Sequence, residues 1–134
     1  MTGIRNKDVS AVGSALIDKL RDKTAIIGIV GLGYVGLPLS LRFAEAGYQV
    51  LGFDIDPAKT EQLNNGKSYI RHFADQKIQA AQKAGFEATT DFSKSTQAFA
   101  LIICVPTPLK EHREPDISFV TDTMDSLLPF MRLG

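Results

Sequence analysis

Three glycines stand in the order G-x-G-x-x-G within Gly31-Leu32-Gly33-Tyr34-Val35-Gly36. The chemistry such a turn offers is the holding of a phosphate. Gly31 permits a tight turn off a strand, Gly33 lets backbone approach a pyrophosphate with no Cβ in the way, and Gly36 allows the following helix to pack closely. The start of that helix presents unpaired N–H groups and a partial positive charge to the anion. Eighteen residues beyond Gly36 comes Asp54, which ends a second apolar run. A carboxylate there accepts hydrogen bonds from ribose hydroxyls and repels a 2′-phosphate, so the expected cofactor is NAD rather than NADP. The same residues outside this order would be a structural glycine turn and a solvated aspartate.

Other side chains speak less sharply. Lys59 falls in the first turn of an expected helix, where the helix dipole disfavours a cation. Either an anion such as Asp54 or the cofactor compensates it, or it faces solvent. Val105-Pro106-Thr107-Pro108 leaves a fourth apolar strand, at the end where ligands of open parallel sheets lie. Thr107 offers a hydroxyl between two stiffening prolines, which reads as a dinucleotide contact or as an ordinary rigid turn. Cys104 is the single cysteine. Within an apolar strand, with no neighbouring His or Lys to activate it, it reads as a small core hydrophobe. His72 and His112 form no ligand pattern with it or with each other, so no metal is expected. His112 and Arg113 belong to the charged stretch Lys110–Glu114, most simply a solvated loop.

The elements that must position these residues follow from periodicity. Asp8–Lys23 carries Val9, Val12, Leu16 and Leu20 at helical spacing, a short amphipathic helix ahead of the first strand. Ala25–Val30 is an aliphatic run suited to a strand buried on both faces. A helix follows the glycines through Ala46 and stops at Gly47, with Pro38 tolerated in its first turn. Gln49–Phe53 is a second strand. Asp56-Pro57 opens a helix that ends near Asn65-Gly66. A further helix spans Asp75–Ala84, Phe86–Thr89 is a short third strand, Ser93–Ala98 one helical turn, and Phe99–Val105 the fourth strand. Ile117, Val120, Met124, Leu127 and Leu128 mark a last helix face, ended or kinked by Pro129. Alternating strands and helices predict an α/β fold: a Rossmann-type parallel sheet with helices on both faces.

Composition narrows the field without naming a function. The 134 residues are 44% hydrophobic and 22% charged, ordinary globular values. Fifteen basic side chains balance fifteen acidic ones. No basic patch therefore recommends a nucleic acid or an anionic membrane as partner. The uncharged stretch Ala25–Leu41 has seventeen residues, but its four glycines and proline suit strand, turn and helix better than one membrane helix. A polar first segment without a signal-peptide pattern and a lone cysteine are consistent with a cytoplasmic protein.

Gly31–Pro38 (GLGYVGLP), Gly52–Pro57 (GFDIDP) and Ile103–Pro108 (ICVPTP) together resemble the UDP-glucose/GDP-mannose dehydrogenase family. With Glu111–Asp116 (EHREPD), they look most like its UDP-N-acetylglucosamine 6-dehydrogenases of bacterial surface-polysaccharide pathways. The resemblance runs from about Thr24 to Gly134. It implies that Tyr34 and Val35 line the cofactor site, that Asp54 and Lys59 hold the adenosine ribose, and that Thr107, with Val105 and Pro106, contacts the dinucleotide. Such enzymes oxidise a sugar primary alcohol to a carboxylate with two NAD, through a thioester on an active-site cysteine. The family's catalytic glutamate, lysine, asparagine and cysteine have no counterpart here, and Cys104 does not match that cysteine.

The expected organisation is thus an N-terminal extension over residues 1–24 and part of an NAD-binding domain over residues 25–134. Truncated after about four strands, it has no catalytic residue of its own, weak NAD affinity, no sugar turnover, and a free sheet edge that invites self-association. A UDP-sugar is the partner implied for the longer parent. Two alternatives stay open: a stand-alone nucleotide-binding module, and a fragment of a 3-hydroxyisobutyrate-type dehydrogenase. The latter typically carries methionine where Val35 precedes Gly36.

Overall fold

The computed structural model describes residues 6–71, 73–109, 111 and 114–131, with side chains described from residue 13 onward. His72, Lys110, His112 and Arg113, with the expectations for them, lie outside the described residues.

Four parallel strands form one sheet in the order β3-β2-β1-β4. They are β1 (Ile26–Val30), β2 (Gln49–Phe53), β3 (Glu87–Thr89) and β4 (Ala100–Ile103). The helices are α1 (Asn6–Arg21), α2 (Gly36–Glu45), α3 (Pro57–Asn64), α4 (Asp75–Lys83) and α5 (Ser118–Leu127). Short 3-10 turns occupy Phe92–Gln97 and Leu128–Phe130, the second containing Pro129.

Alternation along the central strands divides the sheet into two faces. Ile27 and Ile29 of β1 and Val50 of β2 turn to one side, packing with Leu37, Leu41 and Ala44 of α2, Leu63 of α3, and Ile78 and Ala81 of α4. Val30, Leu51 and Phe53 turn to the other side, where Leu127 of α5 is buried with them and Phe92 packs against the group. Helices therefore cover both faces, as the sequence predicts. The outer edge of β3 is closed by a side chain: Asn64 donates to the carbonyl of Ala88 at 2.8 Å and accepts from its N–H at 3.1 Å.

Some boundaries differ from expectation. The strand expected over Phe99–Val105 contracts to Ala100–Ile103, although Phe99 N–H still donates to Ile26 O and Cys104 N–H to Val30 O. The cause is pairing: β1 offers only five residues against which β4 can register. The expected apolar face of α5 is also narrower. Leu127 is buried, Val120 and Met124 are half-buried, and Ile117 and Leu128 are exposed. Ile117 is the residue before the helix and Leu128 already belongs to the proline-containing turn, so neither continues the helical stripe.

The helix α1 docks away from the glycine turn. Tyr48 donates its hydroxyl to Leu20 O, Lys23 donates to Ala46 O, and the Lys19 ammonium sits 3.7 Å from the centroid of the Phe99 ring. Of the expected apolar face of α1, Leu16 is half-buried and Leu20 exposed, while the side chains of Val9 and Val12 lie outside the described residues.

Candidate functional site

The chain lays β2 and β3 to one side of β1, then crosses to lay β4 on the other. Neighbouring strand ends thus lead their loops in opposite directions between β1 and β4, which opens a crevice beyond their carboxyl ends. A cleft of about 680 Å³ occupies that position. Nine of the ten residues singled out from the sequence line it: Gly31, Gly33, Tyr34, Val35, Asp54, Lys59, Val105, Pro106 and Thr107. Gly36 does not line it, for a reason visible in the packing.

The three glycines serve three different constraints. Gly31 has φ +98°, and a Cβ on it would meet the Cys104 carbonyl oxygen at 2.7 Å. Gly33 has open space, with nothing within 4 Å of where its Cβ would be. Gly36 opens α2 so close to the turn that a Cβ would stand 1.6 Å from the Gly31 carbonyl oxygen. It shapes the site from behind. Among the described residues, no hydrogen bond engages the N–H groups of Gly33, Tyr34, Val35 or Gly36, which is the condition of a helix start that can receive an anion.

Asp54 lines the same cleft. One carboxylate oxygen accepts from Leu32 N–H at 2.9 Å and the other from Asp56 N–H at 2.9 Å. Asp56 in turn caps α3, accepting from Ala58 N–H at 2.9 Å. Lys59 is half-buried in the first turn of α3. Rather than pairing with Asp54, its ammonium lies 5.7 Å from the centroid of the Tyr69 ring, so the aromatic face provides the offset. Across the cleft, Thr107 and Pro106 are exposed and Val105 is half-buried.

Cys104 is less enclosed than its apolar strand predicts. It packs against the core, as expected, but it is half-buried and also lines the cleft, because β4 ends one residue before it. Burial pushes its thiol above the ordinary value, which argues against a nucleophile. Sequence reasoning missed Ile55, Phe92, Phe119 and Thr123 in the lining. Ile55, 76% exposed between two aspartates, had a signal in its place next to Asp54. Phe119 and Thr123 lie four residues apart on one face of α5, a spacing legible once that helix is known to border the cleft. Phe92 enters by stacking on Phe53, with ring centroids 5.7 Å apart, and had no local signal.

A parallel sheet with an acid-ended second strand and a glycine turn at the switch point is shared by many dinucleotide-binding proteins. The comparison with known families is more specific. The profile of the UDP-glucose/GDP-mannose dehydrogenase family, NAD binding domain, matches residues 25–134. The chain belongs to this family. The matched region is its NAD-binding domain, and the kinship sets aside the 3-hydroxyisobutyrate-type alternative.

Similar curated proteins include the UDP-N-acetyl-D-mannosamine dehydrogenase of Yersinia pestis, 36% identical over 110 residues, covering 81% of this chain and 26% of that protein. The Escherichia coli (strain K12) enzyme of the same name is 33% identical over 111 residues, covering 82% and 26%. Among solved structures, the UDP-N-acetyl-mannosamine dehydrogenase Cap5O of Staphylococcus aureus superposes with a TM-score of 0.73 at 35% identity, over 81% of this chain and 27% of that one. GDP-mannose dehydrogenase of Pseudomonas aeruginosa gives 0.71 at 31% identity, over 75% and 24%. The chain spans about a quarter of the length of the curated relatives it matches.

Proposed function

We propose that this chain forms the adenosine and pyrophosphate side of the NAD site in a nucleotide-sugar 6-dehydrogenase of the UDP-N-acetylhexosamine type. The observation that carries the reading is the meeting of the open slot at Gly33, the free N–H groups of residues 33–36 and the Asp54 carboxylate in one cleft. Donors face where phosphates would lie, and an acceptor stands where a ribose diol would lie. The donor set therefore fits NAD.

In that role Gly33 and the start of α2 bind the pyrophosphate, and Tyr34 and Val35 flank it. Asp54 accepts from the ribose hydroxyls and excludes a 2′-phosphate by charge. Lys59 adds a donor beside the ribose, and Val105, Pro106 and Thr107 close the opposite wall. NAD, when bound, accepts hydride from the sugar alcohol. The oxidation of the sugar C6 alcohol to a carboxylate, with two NAD consumed, belongs to the whole protein. We assign none of its proton or acyl transfers to the described residues of this chain. The N-acetylhexosamine class rests on the curated relatives named above. The further parts of the reading are a cytoplasmic setting, a leading extension over residues 1–24 before the domain, and self-association.

Titration with NAD and with ADP-ribose tests this reading. The two should bind with weak and similar affinity, and NADH should not accumulate when UDP-N-acetylhexosamines are added. Failure of both to bind would refute the site, and NAD binding a hundredfold tighter than ADP-ribose would refute its confinement to the adenosine side.

A further inference from the structure

The connection between α3 and α4 contains a side chain that touches the glycine turn, and no motif drew attention to it. Tyr69 donates its phenolic hydroxyl to the carbonyl of Leu32. The N–H of the same Leu32 is the group held by Asp54. Leu32 is thus gripped at both ends, and its own side chain is fully buried. Its carbonyl shares a peptide group with Gly33 N–H, one of the N–H groups at the helix start that no hydrogen bond among the described residues engages.

The residues around Tyr69 are fixed independently of the turn. Ser68 N–H donates to Asp75 at 2.9 Å, Ser68 O accepts from Gln62 at 3.0 Å, and Ser68 Oγ accepts from Ile70 N–H at 3.1 Å. Ile70 is buried in the core. The tyrosine therefore projects from a pinned segment, half-buried, with the Lys59 ammonium over its ring. Burial first, and then the negative charges of Asp54 and Asp56, push the phenol well above its ordinary range, so it stays a donor at any working pH.

We propose that Tyr69 is a positioning residue of the cofactor site: by holding the Leu32 carbonyl it orients the Leu32–Gly33 peptide and strengthens Gly33 N–H as a donor to the pyrophosphate. A peptide whose carbonyl accepts a hydrogen bond is polarised, and its N–H becomes a better donor. The same ring holds Lys59 in place. Tyr69 reaches the dinucleotide through these groups without itself touching it. The proposal rests on the NAD reading above and adds a residue from outside the glycine motif.

The test is Tyr69→Phe in the full chain, which keeps the ring and removes the hydroxyl, with Tyr48→Phe as a control that loses a comparable hydroxyl bond at α1. In the ligand-free protein, the amide proton of Gly33 should move upfield in Tyr69→Phe and stay put in Tyr48→Phe. With NAD added, Tyr69→Phe should raise the dissociation constant about fivefold, the size expected for one hydrogen bond, and Tyr48→Phe should not. An unmoved Gly33 amide overturns the proposal whatever NAD does. A moved amide with unchanged NAD affinity overturns the link to the cofactor. Wild-type protein that binds neither NAD nor ADP-ribose overturns the NAD reading instead, while the amide shift still decides whether Tyr69 sets the turn.

Discussion

The glycines at 33 and 36 should respond in opposite ways to the same added methyl. In Gly36→Ala the new Cβ would lie 1.6 Å from the Gly31 carbonyl oxygen and 3.3 Å from Cys104 Cβ. A carbon–oxygen contact of this kind needs about 3.3 Å, so α2 and the turn must separate by roughly 1.7 Å. Gly31 cannot retreat. Its N–H donates to Phe53 O at 2.7 Å, and the Cys104 carbonyl oxygen stands only 2.7 Å from where its Cβ would be. The displacement therefore falls on α2, whose Leu37 and Ser40 are fully buried. Forced expansion of a packed core costs about 1–3 kcal/mol, and more when backbone blocks the way, so we expect at least about 3 kcal/mol here. For a chain of this size that lowers Tm by about 10 °C. Gly33→Ala meets nothing within 4 Å, so its stability should stay within about 0.5 kcal/mol of wild type. Its methyl enters the slot assigned to the pyrophosphate, and NAD affinity should fall at least about tenfold, which is ~1.4 kcal/mol. Thermal denaturation and NAD titration of both variants read the two effects. Wild-type Tm in Gly36→Ala would refute the close-approach reasoning, and undiminished NAD binding in Gly33→Ala would refute the phosphate slot.

Two further outcomes follow from charge. Asp54→Asn keeps the shape and one acceptor oxygen, for Leu32 N–H, gives up the bond from Asp56 N–H, and removes the repulsion of a 2′-phosphate. The preference for NAD over NADP should shrink by about tenfold in paired titrations, and an unchanged ratio would mean that another group sets it. The Cys104 thiol, raised by burial, holds less thiolate at any given pH than an ordinary cysteine. Its alkylation by iodoacetamide should be slower than that of a short peptide thiol near neutral pH, with the rate profile displaced to higher pH. NAD should slow it further, because Cys104 lines the cleft. Alkylation as fast as the peptide's would show that the thiol is not shielded.

Much of this site was legible in the chain. The glycine spacing, the aspartate ending β2 and the Asp56-Pro57 start of α3 act within a few residues of themselves, and β2 has the bounds the sequence predicts. The turn after β4 was legible by its prolines. The lining contributed by Phe92 and Phe119 was not, because those residues reach the cleft only through the packing of separate segments on the far face of the sheet. The length of β4 was set by its partner rather than by its own apolar run.

The sequence by itself determined the alternation of strands and helices, the phosphate-binding turn and its acidic counterpart, since periodicity, glycine conformations and helix caps are local. Only the tertiary structure decided the strand order β3-β2-β1-β4 and the contact between Tyr69 and a carbonyl 37 residues away. It also fixed what the close packing expected at Gly36 is against: the Gly31 carbonyl oxygen, 1.6 Å from where a Cβ would stand. Such features depend on which surfaces are buried together, and that is settled by the summed packing of the whole chain rather than by any one stretch of it.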